Sequence, residues 1–429
     1  YCLYEGLVRW NTEDFSIELA AANHLEVSNE ERTYTFSIKE EAKWSNGASV
    51  TAHDFRYSWM RLLTPDTASD YSNFFFSIKG AQEYWDMRTT QLRDGVVLTM
   101  EEIVDAFNNT VGIRVMDDLT IQIELVQQVP YFLDQLALAV CSPVFRPSVE
   151  GWKVDDATRR KIIDNGWHTV IPPPVSDRRW ISIDEQSGRI KQQYLWARSD
   201  SLIGNGPFVL ARWRYKRDMR LTRNPYYHDL SLTTIDSIQA ITIADANTAV
   251  LAFETGQVDW LSGVNVDYQS DMLDQKKAGT RGNIHAFPTF GTDFFSFNCR
   301  PFLVNKNPNP FHKAAVRRAF VLATNRDAIV KHATRLLEPT TSSIVPPQSI
   351  SGYKTVEGLG FDPTRAIEEL AAAGWSDRDG DGFIEDKKGN PFPVIDLLYT
   401  TNTSRYKWIS LELRDQWRRV LGVQVELRG

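Results

Sequence analysis

Residues 377–385 read Asp-Arg-Asp-Gly-Asp-Gly-Phe-Ile-Glu, with carboxylates at alternate positions around two glycines. Alternate carboxylates on a tight turn can converge on one hard cation, and Gly382 allows the sharp bend such a loop needs. The spacing predicts a calcium loop, with Asp377, Asp379 and Asp381 as ligands and Glu385 as a fourth. A full EF-hand loop would carry a bidentate Glu at its twelfth position, where this chain has Lys388. Signatures of catalysis are missing elsewhere: there is no GxSxG, no HExxH, no Walker A loop and no GxGxxG after a strand. The histidines at 24, 53, 168, 228, 285, 312 and 332 are scattered. His53 reads as structural, and the pairs Glu40-Glu41 and Asp117-Asp118 read as solvated turns. The chain reads as a non-enzyme that requires no cofactor, calcium in the acidic loop aside.

The elements around these residues follow from pattern. Thr33 to Lys39 alternates, with Tyr34, Phe36 and Ile38 on one face of a strand. Asn46-Gly47 supplies the positive φ of a tight turn. Thr51 then caps a helix to Leu63, with Asp54 completing an approximate capping box. Gly112 to Leu125 predicts a hairpin around Asp117-Asp118, and Tyr131 to Ala139 a helix. Residues 146–200, with prolines at 172, 173 and 174, predict a loop-rich connector or insertion. Strands are expected over Val209–Trp213, Met219–Arg223, Ile235–Ile243 and Phe294–Asn298, with a buried strand start at Asp259-Trp260-Leu261. Helices are expected over Asn247–Glu254, His312–Ala323 and Arg365–Ala373. The chain should finish with the strand Val394–Tyr399, the helix Trp408–Leu421 and the strand Val423–Leu427.

Composition limits the function classes. At 429 residues the chain is too long for one simple core. A net charge of −7 argues against a nucleic-acid partner. The longest apolar stretch, Leu136 to Val140, is far shorter than a membrane span. Cys2, Cys141 and Cys299 are too few for a disulfide framework. The aromatics, 13 Trp, 15 Tyr and 22 Phe, are enough to line an adaptable cleft as well as a core.

The string Lys43-Trp44-Ser45-Asn46-Gly47-Ala48-Ser49-Val50-Thr51-Ala52-His53-Asp54-Phe55-Arg56-Tyr57-Ser58-Trp59 goes beyond what strand, turn and helix require. It resembles the signature of the bacterial solute-binding proteins that serve peptide- and nickel-type ABC importers. Asn205-Gly206-Pro207-Phe208, Arg223-Asn224-Pro225-Tyr226-Tyr227, Phe253 to Asp259, Pro310-Phe311, Asn325 to Ile329, Pro346-Pro347 and Leu421-Gly422-Val423 continue the resemblance in family order. Asp66 to Tyr71 is most similar to the oligopeptide-binding branch. Residues 151–200 fit the pattern poorly.

The resemblance implies an α/β, two-lobed periplasmic binding protein fold with an extra domain in the first lobe. Its expected division is residues 1–9 with 148–289 as first lobe, 10–147 as extra domain, and 290–429 as an incomplete second lobe. The implied function is the extracytoplasmic binding component of an ABC transporter, holding oligopeptides between lobes. A nickel chelate, an oligosaccharide or an opine is the alternative ligand, and a non-transport sensor or chaperone-like domain the alternative role. The implied partners are peptide and membrane permease subunits, with a monomeric protein, periplasmic or otherwise extracytoplasmic and membrane-anchored through sequence before Tyr1. By the same resemblance the family continues past Gly429, so the chain is expected to lack a closing tail. Tyr71 falls where the oligopeptide branch has a cleft-lining tyrosine. Phe294 and Ser296 are expected to face ligand while Phe295 and Phe297 face the core. Arg405 is expected to hold a ligand carboxylate, and Asp293 reads as a solvated loop carboxylate. Acidic loops like 377–385 also occur in this family as plain turns.

Overall fold

The computed structural model describes residues 2–198, 202–264, 266–287, 291–336, 338–346 and 353–429. Phe290, where the expected second lobe begins, and Pro347 lie outside the described residues. The chain is α/β and forms two compact units, Tyr1–Thr242 and Ile243–Gly429.

The first unit is organised by a four-stranded antiparallel sheet. Its order is Ala22–Ser28, Thr33–Ile38, Thr120–Glu124, Ile113–Asp117. Alternation sets the register: Tyr34 lies opposite Ile123 and Phe36 opposite Ile121, and all four are buried. The helix Ala52–Leu63 packs on this sheet and buries Phe55, Trp59 and Leu63. Its start is fixed by Asp54, whose Oδ2 accepts from Thr51 N at 2.8 Å and from Thr51 Oγ1 at 3.0 Å. The turn before it closes through Trp44 N to Ala48 O at 2.8 Å, with Gly47 at φ +90°. Leu7, Val149, Trp152 and Trp167 share the core that these elements build.

Residues 146–198 are more regular than their prolines suggest. Arg146–Glu150 and Asp156–Asn165 are helices, and Ile181–Ile183 pairs with Ile190–Gln192. Asp155 caps the second helix by accepting from Thr158 N at 2.7 Å, and Gly166 follows its end. Buried charges tie the segment down. Glu150 is fully buried and accepts from Tyr57 Oη, Arg146 Nε and Trp152 Nε1 at 3.1, 3.0 and 2.8 Å. The expected helix Tyr131–Ala139 is trimmed to Phe132–Leu136. A second antiparallel sheet joins Phe208–Arg214, Asp218–Arg223 and Ser237–Ile241.

In the second unit the helices Ala314–Leu322, Pro363–Ala373 and Ser404–Leu421 enclose a core centred on Phe320. That ring meets Phe311 at 4.9 Å and Trp417 at 5.1 Å. Ile395–Leu398 and Val425–Arg428 pair in parallel, Ile395 opposite Val425. Gly374 and Gly422, at φ +101° and +66°, end their helices in the left-handed conformation that glycine adopts without strain. Two expected strands do not form. Phe294–Asn298 has no regular secondary structure and joins no ladder among the described residues, although its alternation survives, with Phe295 and Phe297 packed on the core. Asp259–Leu261 is no buried strand: Trp260 is 79% exposed, because apolar character without a pairing partner does not make a strand.

Candidate functional site

Arg405 sits in the first turn of Ser404–Leu421, where Thr403 Oγ1 caps the helix by accepting from Arg405 N at 3.3 Å. Its guanidinium is shared between two acids. Nε and Nη2 reach Asp293 Oδ2 at 2.8 and 2.7 Å, and Nη1 reaches Glu338 Oε1 at 2.6 Å. Tyr406 donates its hydroxyl to Asp293 Oδ1 at 3.1 Å. Burial works against the Arg405 charge, but the bonds to Glu338 and Asp293 outweigh it and raise the pKa above the usual arginine value. The Asp293 charge likewise raises the Tyr406 phenol. The chemistry follows from this arrangement. One cation stands between two carboxylates, so a ligand carboxylate at Arg405 would meet their competing negative charge. The surplus negative charge is suited to a ligand ammonium.

Phe294 and Ser296 follow Asp293 directly and are both exposed, Phe294 at 64%. Packing of Phe295 and Phe297 holds the intervening backbone, so the exposed pair faces away from the core. Tyr71 belongs to the first unit. It caps the short turn Ser72–Phe75, is 45% exposed, and sets its ring edge-on to Phe74 at 5.4 Å. Asp66, the other end of the same motif, is buried and paired with Arg88. Glu338 and Tyr406 went unseen in the sequence. Tyr406 had a signal in its adjacency to Arg405, whereas Glu338 has no local pattern that marks it.

In the acidic loop, Asp377, Asp379 and Glu385 bring one carboxylate oxygen each within 4.8 Å of one another, and Asp381 does not join them. The Asp377 oxygens accept from Gly380 N at 2.8 Å and Gly382 N at 3.0 Å, while Asp381 accepts from Phe383 N at 2.8 Å. These amide bonds close the turn by themselves.

The family model for bacterial extracellular solute-binding proteins, family 5 (middle), matches residues 16–429. The chain belongs to this family. It is 25% identical over 425 residues to the oligopeptide-binding protein OppA of Bacillus subtilis, covering 99% of this chain and 65% of that protein. It is 27% identical over 434 residues to the dipeptide-binding protein DppE of the same organism, covering 99% of this chain and 64% of the relative. The chain therefore spans slightly less than two-thirds of the length of these relatives. Its fold is that of the Escherichia coli murein tripeptide binding protein MppA, with a TM-score of 0.72 at 22% identity over 99% of this chain and 69% of that one. Haemophilus influenzae OppA in complex with the peptide RPPGFSPFR gives a TM-score of 0.66 at 22% identity, covering 100% of this chain and 70% of that one. Among the described residues no helix is long and apolar enough to cross a membrane.

Proposed function

We propose that the protein is the extracytoplasmic binding component of an ABC importer for oligopeptides, and that it passes its ligand to membrane permease subunits without transforming it. The observation that carries this reading is the family match over residues 16–429, together with relatives described as oligopeptide- and dipeptide-binding. On this reading the ligand lies in an extended form, with its main chain bonded to protein and its side chains in tolerant, wet pockets. Tyr71 is a candidate phenol contact. Phe294 offers an aromatic surface, Ser296 a hydroxyl, and the acids around Arg405 a negative field for the peptide's amine. A monomer anchored outside the cytoplasmic membrane completes the proposal.

Mass spectrometry under native conditions tests it on freshly purified protein. Retained masses that fragment as short peptides are the expected result. A relative at 22% identity is described as a probable deoxycholate-binding protein. A retained bile salt, sugar or metal chelate, with no peptide, would overturn the proposal.

A further inference from the structure

Three segments far apart in sequence bring His53, Asp118 and His168 together. His53 lies in the first turn of Ala52–Leu63, Asp118 in the turn between Ile113–Asp117 and Thr120–Glu124, and His168 just after Gly166 in the segment that fits the family pattern poorly. The three segments are held together independently of these three side chains. Ala52 N donates to Asp118 O at 2.8 Å, and Trp167 Nε1 donates to Asp54 Oδ1 at 2.6 Å. Gly166 holds φ +84°, and a Cβ there would stand 2.6 Å from His168 Cε1, so the missing side chain makes room for the imidazole.

The ligating atoms converge. His53 Nε2 lies 3.4 Å and His168 Nε2 3.2 Å from the same oxygen, Asp118 Oδ1. The two rings stand nearly parallel, 8° apart with centroids at 4.4 Å, so one imidazole must turn about its Cβ–Cγ bond to aim its lone pair at a shared ion. A tetrahedral zinc site with bonds of about 2.0–2.1 Å has ligand–ligand edges of about 3.3 Å, which both separations match. His168 Nδ1 is enclosed without a hydrogen-bond partner. Nε2 is the nitrogen of that ring that faces the cluster. Asp118 is 62% exposed, so one side of the site is open to water as a further ligand.

We propose that His53 Nε2, His168 Nε2 and Asp118 Oδ1 bind one divalent transition-metal ion of the zinc class, clamping the segment around His168 to the start of Ala52–Leu63. Two imidazole nitrogens with one carboxylate favour zinc, nickel or copper over calcium or magnesium, which take oxygen ligands. The Arg56 charge acts on His53 and opposes a cation there, while the Asp118 carboxylate offsets it.

The test is a zinc titration of chelator-treated, tag-free protein against a chromophoric competitor. One equivalent should bind, and His168→Ala and Asp118→Ala should each weaken it by about tenfold to a hundredfold or more. Cobalt in place of zinc should give the intense visible bands of a four-coordinate site, lost in both variants. Should His168→Ala fail to fold, Asp118→Ala decides alone, since that side chain is exposed and the backbone carbonyl, not the carboxylate, holds Ala52. Wild-type protein that binds no equivalent, or folded variants that bind as wild type does, would overturn the proposal.

Discussion

Replacing Arg88 by Met tests whether the segment after Glu150 is held by buried charge. The Arg88 and Asp66 side chains are 1% and 0% exposed. Arg88 Nε and Nη2 reach Asp66 at 2.9 and 2.8 Å, Nη2 also reaches Gly188 O at 2.7 Å, and Ile190 N donates to Asp66 at 2.7 Å. The pair therefore links the helix Ala81–Arg93 to the hairpin Ile181–Gln192. Arg88→Met strips Asp66 of its two charge-assisted bonds and leaves Gly188 O without this donor. Removing one partner of a buried pair costs about 3–5 kcal/mol, because the other charge stays desolvated and uncompensated. Asp66→Leu with Arg88→Met removes both charges, but it strips Ile190 N and Gly188 O of these partners and so recovers only part of that loss. The unpaired Ile190 amide and Gly188 carbonyl then still cost about 1–3 kcal/mol each. Urea unfolding followed by tryptophan fluorescence measures the midpoints, and proteolysis within 181–192 reports the hairpin directly. A loss below about 1 kcal/mol in Arg88→Met, a value typical of solvent-exposed pairs, would refute the reasoning.

Tyr71→Ala should weaken peptide binding by about 1 kcal/mol, the size of one hydrogen bond with partial ring contact, and leave the melting temperature unchanged. Equal affinity in the variant would make Tyr71 structural only. Burial pushes the Cys141 thiol up to about 12, whereas Cys2 and Cys299 are exposed. At pH 8 a thiolate-selective reagent should modify Cys2 and Cys299 in folded protein and Cys141 only after denaturation. Peptide mapping reads this out, and rapid labelling of native Cys141 would count against its enclosure.

Much of the framework was legible because it rests on local pattern. Alternation over Thr33–Ile38 and Thr120–Glu124, the Asn46-Gly47 turn, the Thr51/Asp54 helix start and the glycine stops at 374 and 422 are all short-range signals. The order of residues 146–198 was not legible. It depends on Glu150 and Asp66 finding buried donors distant in the chain, and prolines conceal it. The false strands at Phe294–Asn298 and Asp259–Leu261 have a related cause, since a strand needs a partner that its own residues do not specify. At the candidate site Arg405, Phe294 and Ser296 could be named in advance, but not Glu338, Tyr406 or the pairing among them. Arg405 looked like a free anion receptor, and only the fold brings Asp293 and Glu338 onto it. The His53, Asp118 and His168 cluster had no sequence signature, because its spacing matches no local ligand motif.

Calorimetric titration of the protein with mixed tri-, tetra- and pentapeptides measures the central claim most directly. Saturable binding that varies little with side-chain identity is the predicted result. No heat with any peptide, alongside tight binding of a sugar, a metal chelate or deoxycholate, would contradict it.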